Sequence, residues 1–374
     1  MHGGIPTYNR LVCRVLNEIS NGEGSDVLIA TDKEADVEQP SREFPHLRLQ
    51  AFDHDRVGLV RQFVRLGLTR PYDLVLLGHV NYAPLGRLLK KLRPHSRYGV
   101  MLYGVEAWRR LPWLKRRALQ RADFLISISD YTKQRAVAAN DLTADDVYLL
   151  PNAIEAVSVE PLPNTTQMHP GTARSLLSVC RLEQKERYKG VDKVIEILPE
   201  LSKSVPEIQY VVVGGGTDLE RHKRLAEQHG VAERVHFLGF LSDEALRACY
   251  RDCDVFVMPS AGEGFGFVFL EAMKHGKAIV AANSGGAPEV VEDGVTGRLV
   301  EYGDKDELAQ ALIELCLDPM KRAELGAAGY QRLQERFTFA HFKQKLTEIL
   351  LSELTSSLTA VEPVPVGRST EEIP

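Results

Sequence analysis

A glycine-rich segment with two carboxylates, Pro259 to Gly276, holds the residues best suited to chemistry. It follows the apolar run that ends at Met258, so it lies at the carboxyl end of a predicted parallel strand, where open α/β sheets bind ligands. Gly264 and Gly266 allow close backbone approach, and the helix predicted to begin near Gly266 directs free N–H groups at the loop. The segment therefore favours an anionic or phosphorylated ligand.

The two carboxylates of this segment, Glu263 and Glu271, are eight residues apart. On one helix they would be offset by roughly 80° and ~12 Å along the axis, too far apart for a glycosidase-like pair. We expect them to contact different parts of one extended ligand. The alternative is that Glu263 is an exposed loop acid and that the neighbouring apolar residues only form core.

Two cations, Arg181 and Lys189, follow the first predicted strand of the second half of the chain. A planar guanidinium and an ammonium at that place could neutralise a diphosphate without a metal. Taken alone, they could equally be two solvated cations of a charged loop.

Two further glycine turns are less specific. The turn at Val213–Leu219, which contains Gly215, resembles half a dinucleotide fingerprint but has Leu219 at the third glycine position, so it predicts a tight turn beside a ligand. The turn Gly285–Glu289 places Pro288 at a first helical position and is at least as well explained as a structural turn.

These motifs are separated by apolar runs that alternate with amphipathic helical stretches, which is typical of parallel sheets covered on both faces. Nine such runs are predicted as strands: 26–30, 73–77, 123–127, 147–150, 176–179, 210–213, 235–238, 254–258 and 277–281. A polar, proline-containing interval divides them into two α/β units. The predicted boundaries are a first domain at 1–160, a linker at 161–172, a second domain at 173–335, a C-terminal helix at 336–354 and a flexible tail at 355–374.

The composition is that of a soluble globular protein. The chain has 374 residues, 44% of them hydrophobic, and a formal charge of −5, which excludes wholesale disorder, collagen and coiled coil and argues against a dedicated nucleic-acid binder. Five cysteines without a Cys-x-x-Cys pair predict neither a disulfide framework nor structural zinc, so a reducing cytosol is expected. No apolar run approaches the ~20 residues that span a bilayer.

The stretch from Arg87 to Arg121 is strongly basic and has a single acid, Glu106. Trp108 and Trp113 are interleaved with its cations. This pattern suits an anionic membrane surface and a lipid-linked acceptor. The alternative is a solvated basic helix whose tryptophans lie in the core.

The motifs together resemble the retaining glycosyltransferases of family 4. The resemblance rests on Glu-x7-Glu within Pro-Ser-x-x-Glu-Gly-Phe-Gly, on Arg181 with Tyr188-Lys-Gly190, and on shorter matches along nearly the whole chain, among them Gly3-Gly4-Ile5-Pro6, Tyr103-Gly-Val-Glu-Ala-Trp108 and Ile128-Ser-Asp-Tyr-Thr132. It implies the GT-B architecture, an α/β fold of two Rossmann-like parallel-sheet domains facing across a cleft, with C-terminal helices that return toward the first domain.

The resemblance also implies roles for individual residues. Arg181 and Lys189 would hold the donor diphosphate, Glu271 would bind the ribose, and Glu263 would lie near the transferred sugar. The remaining donor-binding candidates are the first-domain loop Gly3–Gly4, the turn at Gly215, the base-side loop at Phe240, and the backbone of Gly264, Phe265 and Gly266.

Two departures from the family pattern stand out. Tyr103 occupies a position where many relatives have histidine, and a phenol is a poor general base near neutrality. His79, Glu106 and Trp108 could line the acceptor side instead, although each could be a plain structural residue. Relatives also begin with a central strand that delivers the Gly-Gly loop, so we expect such a strand ahead of Met1.

The implied activity is metal-independent, retaining transfer from a nucleotide-diphosphate sugar to a glycan or lipid-linked acceptor, in envelope polysaccharide, lipopolysaccharide or glycolipid synthesis. No metal, no cofactor and no nucleic-acid partner are expected. We expect a cytoplasmic protein, with a peripheral place on the inner face of the cytoplasmic membrane as an option. The alternatives are a truncated, non-catalytic nucleotide-binding relative and a GT-B nucleotide-sugar epimerase.

Overall fold

The structure is a computed structural model in which residues 3–20, 25–155 and 175–359 are described. The predicted linker at 161–172 and residues 360–374 of the predicted tail lie outside the described residues. The described chain forms two α/β units that meet across a cleft, with every strand pair parallel, as the pattern of apolar runs predicts.

The described residues of the first unit form six strands in two sheets. Its strands are β1 (Ser25–Ile29), β2 (Leu47–Ala51), β3 (Leu74–Leu77), β4 (Arg97–Leu102), β5 (Phe124–Ser127) and β6 (Val147–Leu149). Its helices are α1 (Gly4–Ile19), α2 (Glu38–Glu43), α3 (Arg56–Thr69), α4 (Ala83–Leu92), α5 (Trp113–Leu119) and α6 (Asp130–Asn140), with 3₁₀ turns at Glu34–Val37 and Val80–Tyr82. One sheet pairs β1 with β2, and the other has the order β3-β4-β5-β6.

Burial differs sharply between the strands of this unit. β5 is buried throughout and β4 is buried from its second residue, because helices cover both faces of the four-stranded sheet. β1 and most of β3 are only half-buried despite their apolar sequences. In the described part of the chain no strand joins β1 to β3. The further strand expected ahead of Met1 is not tested by these residues and stays a prediction.

The second unit is one sheet of six strands with the order β12-β11-β10-β7-β8-β9. Its strands are β7 (Ser175–Val179), β8 (Gln209–Val213), β9 (Val235–Gly239), β10 (Val255–Met258), β11 (Ala278–Ala282) and β12 (Gly297–Val300). Its helices are α7 (Val191–Ser204), α8 (Leu219–Gln228), α9 (Asp243–Asp252), α10 (Phe267–Lys274), α11 (Ala287–Val290), α12 (Lys305–Leu317) and α13 (Pro319–Arg336), with 3₁₀ turns at Gln184–Lys189 and Ala232–Arg234. The strand order reverses between β7 and β10, and crevices at such a point are where doubly wound sheets bind ligands.

The last helix, α14 (Phe339–Thr359), returns to the first unit as predicted. Phe342 packs edge-on against Tyr8 of α1, and Glu353 forms an ion pair with Arg97 of β4. The predicted helix bounds of 336–354 were wrong at both ends. α13 ends at Arg336, and Phe337 separates it from α14. α14 then continues past residue 354, since each residue added to an existing helix gains a hydrogen bond at little cost.

Candidate active site

The centre of the site is an ion pair between two loops of the second sheet. Lys189 ends the 3₁₀ turn after β7, and Glu263 lies in the loop between β10 and α10. Lys189 Nζ donates to Glu263 Oε1 at 2.5 Å, and the Ser260 hydroxyl donates to the same oxygen at 3.2 Å. Both charged side chains are largely buried, so the pair is held in a fixed geometry and partly shielded from water.

The charge of Lys189 is secured by its surroundings. Burial opposes the charged form, but the Glu263 carboxylate outweighs it and holds the pKa of Lys189 well above its usual value. Lys189 is therefore charged near neutral pH, and a fixed positive charge of this kind can stabilise an anionic leaving group.

The two loops are joined through their backbones as well. The N–H of Ala261 donates to the carbonyl of Tyr188 at 2.7 Å. Gly190 has a left-handed φ of +79°, and a Cβ there would lie 2.4 Å from the carbonyl oxygen of Pro259. Only glycine fits this position, and that fit brings Lys189 to Glu263.

Arg181 reaches the same crevice from the first residues after β7. Its guanidinium is largely exposed and donates from Nη2 to Glu186 Oε1 at 2.5 Å. The other oxygen of Glu186 is buried and has no hydrogen-bond partner within the described ranges. The site thus contains an exposed cation that is held by a buried carboxylate.

Glu271, on α10, is engaged differently from Glu263. Its Oε2 accepts a hydrogen bond of 2.6 Å from the hydroxyl of Tyr250, which is buried on α9. Burial raises the pKa of Glu271, and the Tyr250 hydrogen bond acts in the opposite direction. One carboxylate oxygen is therefore fixed by the protein, and the other has no hydrogen-bond partner among the described residues.

The turn after β8 and the loop after β9 form a small aromatic edge to the crevice. The N–H of Gly214 donates to the carbonyl of Gly239 at 2.8 Å, which brings the two loops together. Phe240 is 72% exposed, and a Cβ on Gly215 would lie 3.0 Å from its ring. A large aromatic ring that remains exposed beside a glycine is suited to stacking on a flat ligand group.

Glycines allow the first unit to approach this crevice closely. Gly3 caps α1, and a Cβ on Gly4 would lie 3.6 Å from the ring of Phe267 at the start of α10. A Cβ on Gly264 would lie 2.2 Å from the backbone oxygen of Tyr103. The two units therefore approach within backbone contact beside Glu263. The side chain of Phe265 is buried, so only its backbone is available to a ligand.

The acceptor-side candidates do not all face the cleft. The Tyr103 phenol is buried and donates to Asn9 Oδ1 at 2.6 Å, and burial raises its pKa. Glu106 Oε1 accepts from the backbone N–H groups of Tyr103 and Gly104 at 2.6 and 3.0 Å. Both side chains thus have partners within the first unit.

His79 and Trp108 are both half-buried. His79 Nδ1 accepts from the N–H of Asn81, and burial lowers the pKa of its imidazole, with Glu106 acting against burial and Lys115 with it. Trp108 donates to Thr132 Oγ1 at 3.2 Å, and a Cβ on Gly262 would lie 3.3 Å from its ring. Trp108 therefore connects the acceptor side to the Glu263 loop.

The structure brings Lys189 into contact with Glu263, and it places Arg181, Gly215 and Phe240 on the loops that follow β7, β8 and β9. It also adds residues that the sequence motifs did not single out: Glu186, Tyr250, Ser260 and Glu289. Ser260 could have been found, because it is part of the Pro-Ser motif. Tyr250 carried no local signal, since it meets Glu271 only when α9 packs beside α10.

Comparison with known proteins agrees with this architecture. Residues 167–332 match the family described as Glycosyl transferases group 1. The chain is 33% identical over 287 residues to a GDP-mannose-dependent alpha-(1-6)-phosphatidylinositol monomannoside mannosyltransferase of Mycobacterium tuberculosis, covering 72% of this chain and 73% of that protein. With the enzyme of the same name from Mycolicibacterium smegmatis the identity is 36% over 257 residues, 65% of this chain and 66% of the relative.

Solved structures share the fold. The Anabaena protein HepE, crystallised with UDP and glucose, superposes with a TM-score of 0.75 at 21% identity, covering 94% of this chain and 96% of that one. The similarity to the mycobacterial relatives and the GT-B fold lead to one conclusion: this chain is a glycosyltransferase that belongs to the glycosyl transferases group 1 family.

Proposed function

We propose that this protein transfers a hexose from a nucleotide-diphosphate sugar to a lipid-linked acceptor, with retention of the anomeric configuration and without a metal. The observation that carries the proposal is the buried Lys189–Glu263 pair beside the exposed Arg181 guanidinium, at the carboxyl ends of β7 and β10. Two fixed cations in a crevice under a helix N-terminus are suited to a diphosphate.

The proposed reaction breaks the bond between the anomeric carbon and the diphosphate oxygen. The electron pair leaves with the nucleoside diphosphate, whose charge Lys189 and Arg181 stabilise. An acceptor hydroxyl then forms the new bond on the face just vacated, and its proton passes to the departing phosphate. Glu263 would contact the transferred sugar, and the free oxygen of Glu271 would accept from the ribose.

The relatives suggest which substrates to test first. The named mycobacterial enzymes use GDP-mannose and a phosphatidylinositol mannoside. We propose GDP-mannose as donor and an inositol-containing glycolipid as acceptor. Phe240, exposed beside Gly215, would stack on the base, a contact that either guanine or uracil can make.

An anionic membrane surface is the proposed location of the acceptor. Trp113 and Leu114 of α5 are 64% and 51% exposed, and Arg109, Arg110 and Arg117 nearby are exposed as well. Several cations of the basic stretch have acidic partners: Arg110 pairs with Asp141, Lys90 with Asp123 and Arg97 with Glu353. The exposed part therefore combines apolar and basic side chains, as interfacial helices do.

Helix α3 extends this surface. α4 packs between α3 and α5, and α3 exposes Val57 and Leu68 together with Arg61 and Arg65. α3 contains three arginines and no acid. No described helix is both long and apolar enough to cross a bilayer.

The activity is tested by incubating the protein with GDP-mannose and, separately, UDP-glucose, and measuring nucleoside diphosphate release and the sugar product. Lys189→Ala should lower turnover at least about 100-fold, because it removes a fixed charge from the leaving group. Lys185→Ala, an exposed lysine of the same 3₁₀ turn, is the matched control and should leave turnover unchanged. Donor binding without turnover would support the non-catalytic alternative, and an isomerised sugar would support the epimerase.

Membrane binding is tested separately with sedimented vesicles. We expect binding to anionic vesicles that weakens with salt, and weaker binding by the double variant Trp113→Ala, Leu114→Ala. Met320→Ala, an exposed apolar residue of the second unit, is the control. Equal binding to neutral vesicles would contradict the proposal.

A further inference from the structure

A carboxylate of the second unit caps a helix of the first. Glu289 belongs to α11, in the Gly285–Glu289 turn that follows β11. Its Oε2 accepts from the backbone N–H of Asp130 and its Oε1 from that of Tyr131, both at 2.8 Å. These N–H groups lie in the first turn of α6, so the two hydrogen bonds cross between the units.

The contact completes the start of α6. The first N–H groups of a helix have no partner within it. Ser129 Oγ accepts from the N–H of Thr132, which leaves the N–H groups of Asp130 and Tyr131 to the Glu289 carboxylate. A carboxylate that spans two N–H groups at a helix N-terminus makes charge-assisted hydrogen bonds, and the helix dipole favours its charge.

The same turn also supports the Glu263 loop. The N–H of Gly286 donates to the carbonyl of Glu263 at 2.8 Å, and the Ser284 hydroxyl donates to the carbonyl of Ala261 at 2.5 Å. A Cβ on Gly285, where φ is +66°, would lie 2.5 Å from that Glu263 oxygen. The turn is thus pressed against the backbone of Glu263.

On the first unit, the partner of Glu289 leads to the acceptor side. The ring of Tyr131 packs edge-on against Trp108, with centroids 5.1 Å apart. Trp108 in turn faces Gly262, one residue before Glu263. A short ring of contacts therefore runs from Glu289 through Tyr131 and Trp108 to the Glu263 loop.

We propose that Glu289 is a positioning residue that holds the two units closed and couples this closure to the placement of the Glu263 loop. It does not touch the reacting atoms. The kinetic part of this inference rests on the proposed transfer activity, whereas the contact between the units does not. Its effect should therefore be visible without any substrate.

The test compares Glu289→Gln with Glu292→Gln, a carboxylate nearby that pairs with Arg332 of its own unit. The amide of Gln has one acceptor oxygen and would turn its N–H₂ group toward a backbone N–H, so E289Q should lose the bridge. We expect faster hydrogen exchange in the peptide around Asp130–Thr132 and a larger radius of gyration by small-angle scattering. E292Q should match the wild type in both measurements.

With donor present, E289Q should raise the donor KM about tenfold, the size expected for a lost hydrogen bond to a charged group, with a smaller change in kcat. If E289Q shows the same hydrogen exchange and the same radius of gyration as the wild type, the inference is overturned, whatever the transferase activity of E289Q. If the wild type lacks transferase activity while the two units of E289Q still separate, the proposed function is contradicted and the inference that Glu289 holds the units closed is not. If E289Q does not fold, rapid exchange at Asp130 and Tyr131 in the wild type would overturn the inference, and slow exchange there would support it.

Discussion

Residue by residue, the site assigns its two glutamates to different environments. Glu263 pairs with a buried lysine, whereas Glu271 has a neutral phenol as its partner and a raised pKa. The difference arises from the elements behind them, since Lys189 comes from the turn after β7 and Tyr250 from α9. The two carboxylates therefore differ in their protein partners, and their contact with different parts of one ligand stays a prediction.

Tyr250 should influence the pH below which donor binding fails. Burial raises the pKa of Glu271 above its usual 4.5, and the Tyr250 hydroxyl holds it down. Tyr250→Phe should raise that pKa further, so binding of the nucleoside diphosphate should begin to fail at a higher pH as the solution is acidified. At neutral pH we expect about tenfold weaker binding by calorimetry, because Glu271 is less well oriented.

The control for this prediction is Tyr302→Phe, a tyrosine that is 40% exposed. The phosphates of the ligand titrate as well. The prediction therefore concerns the acidic side of the curve of binding affinity against pH, and how far it is displaced in Tyr250→Phe relative to the wild type. Identical acid limbs in the two proteins would contradict it.

At the scale of elements, the 3₁₀ turn Gln184–Lys189 is the part of the site that depends most on its backbone. Gly190 ends it with a left-handed φ and no room for a Cβ against Pro259. The turn is also held from outside, since Arg187 donates to the buried Asp218 at 3.0 and 3.2 Å. A helical or extended loop of the same sequence would not carry Lys189 to Glu263.

Gly190→Ala should therefore inactivate the protein. The added Cβ must displace the turn, and an error of about 1 Å in a charged group can cost about 100-fold in rate. Gly230→Ala is a matched control, because Gly230 also has a left-handed φ of +68° but a Cβ there would meet no neighbouring atom within 4 Å. We expect that control to lose about 1 kcal/mol of stability and keep its turnover. Equal turnover in both variants would show that the turn is not a determinant of the site.

For the whole molecule, α14 is the connection that ties the end of the second unit to the first. Glu353 is 5% exposed, and accepts from Arg97 Nη2 at 2.5 Å and from the Tyr148 hydroxyl at 2.8 Å. Phe342 and Leu346 of the same helix are buried in a core that also contains residues of the four-stranded and the six-stranded sheets. Two sets of contacts therefore fix the relative position of the units: those of α14 with the first unit, and those between the units around Glu263.

Glu353→Ala should destabilise the whole protein. Removal of the carboxylate leaves Arg97, whose side chain is only 20% exposed, without its counter-ion, at an expected loss of about 2 kcal/mol. Urea unfolding measures the change. Glu348→Ala, an exposed glutamate of the same helix, should change the midpoint little. A similar midpoint for both variants would show that this ion pair does not hold the units together.

Much of the fold could be predicted because apolar runs and glycine turns are local signals. All nine predicted runs form strands, and the donor-side motifs lie on the loops where parallel strands end. β2, β4 and β12 were not among those runs. β2 alternates Leu47 and Leu49 with Arg48 and Gln50, and β4 and β12 contain glycine and arginine, so none of them is a continuous apolar run.

The sequence alone determined the alternation of strands and helices and the two units, because each depends on neighbours within a few positions. It predicts the residues of the donor site from motifs that are equally local. It could not determine that Tyr250 would fix Glu271, that the Tyr103 phenol would turn to Asn9, or that Glu289 would cap α6. Those contacts join residues 21, 94 and 159 positions apart. Only the packing of whole elements brings such residues together, since nothing in the local sequence specifies which distant side chain will arrive.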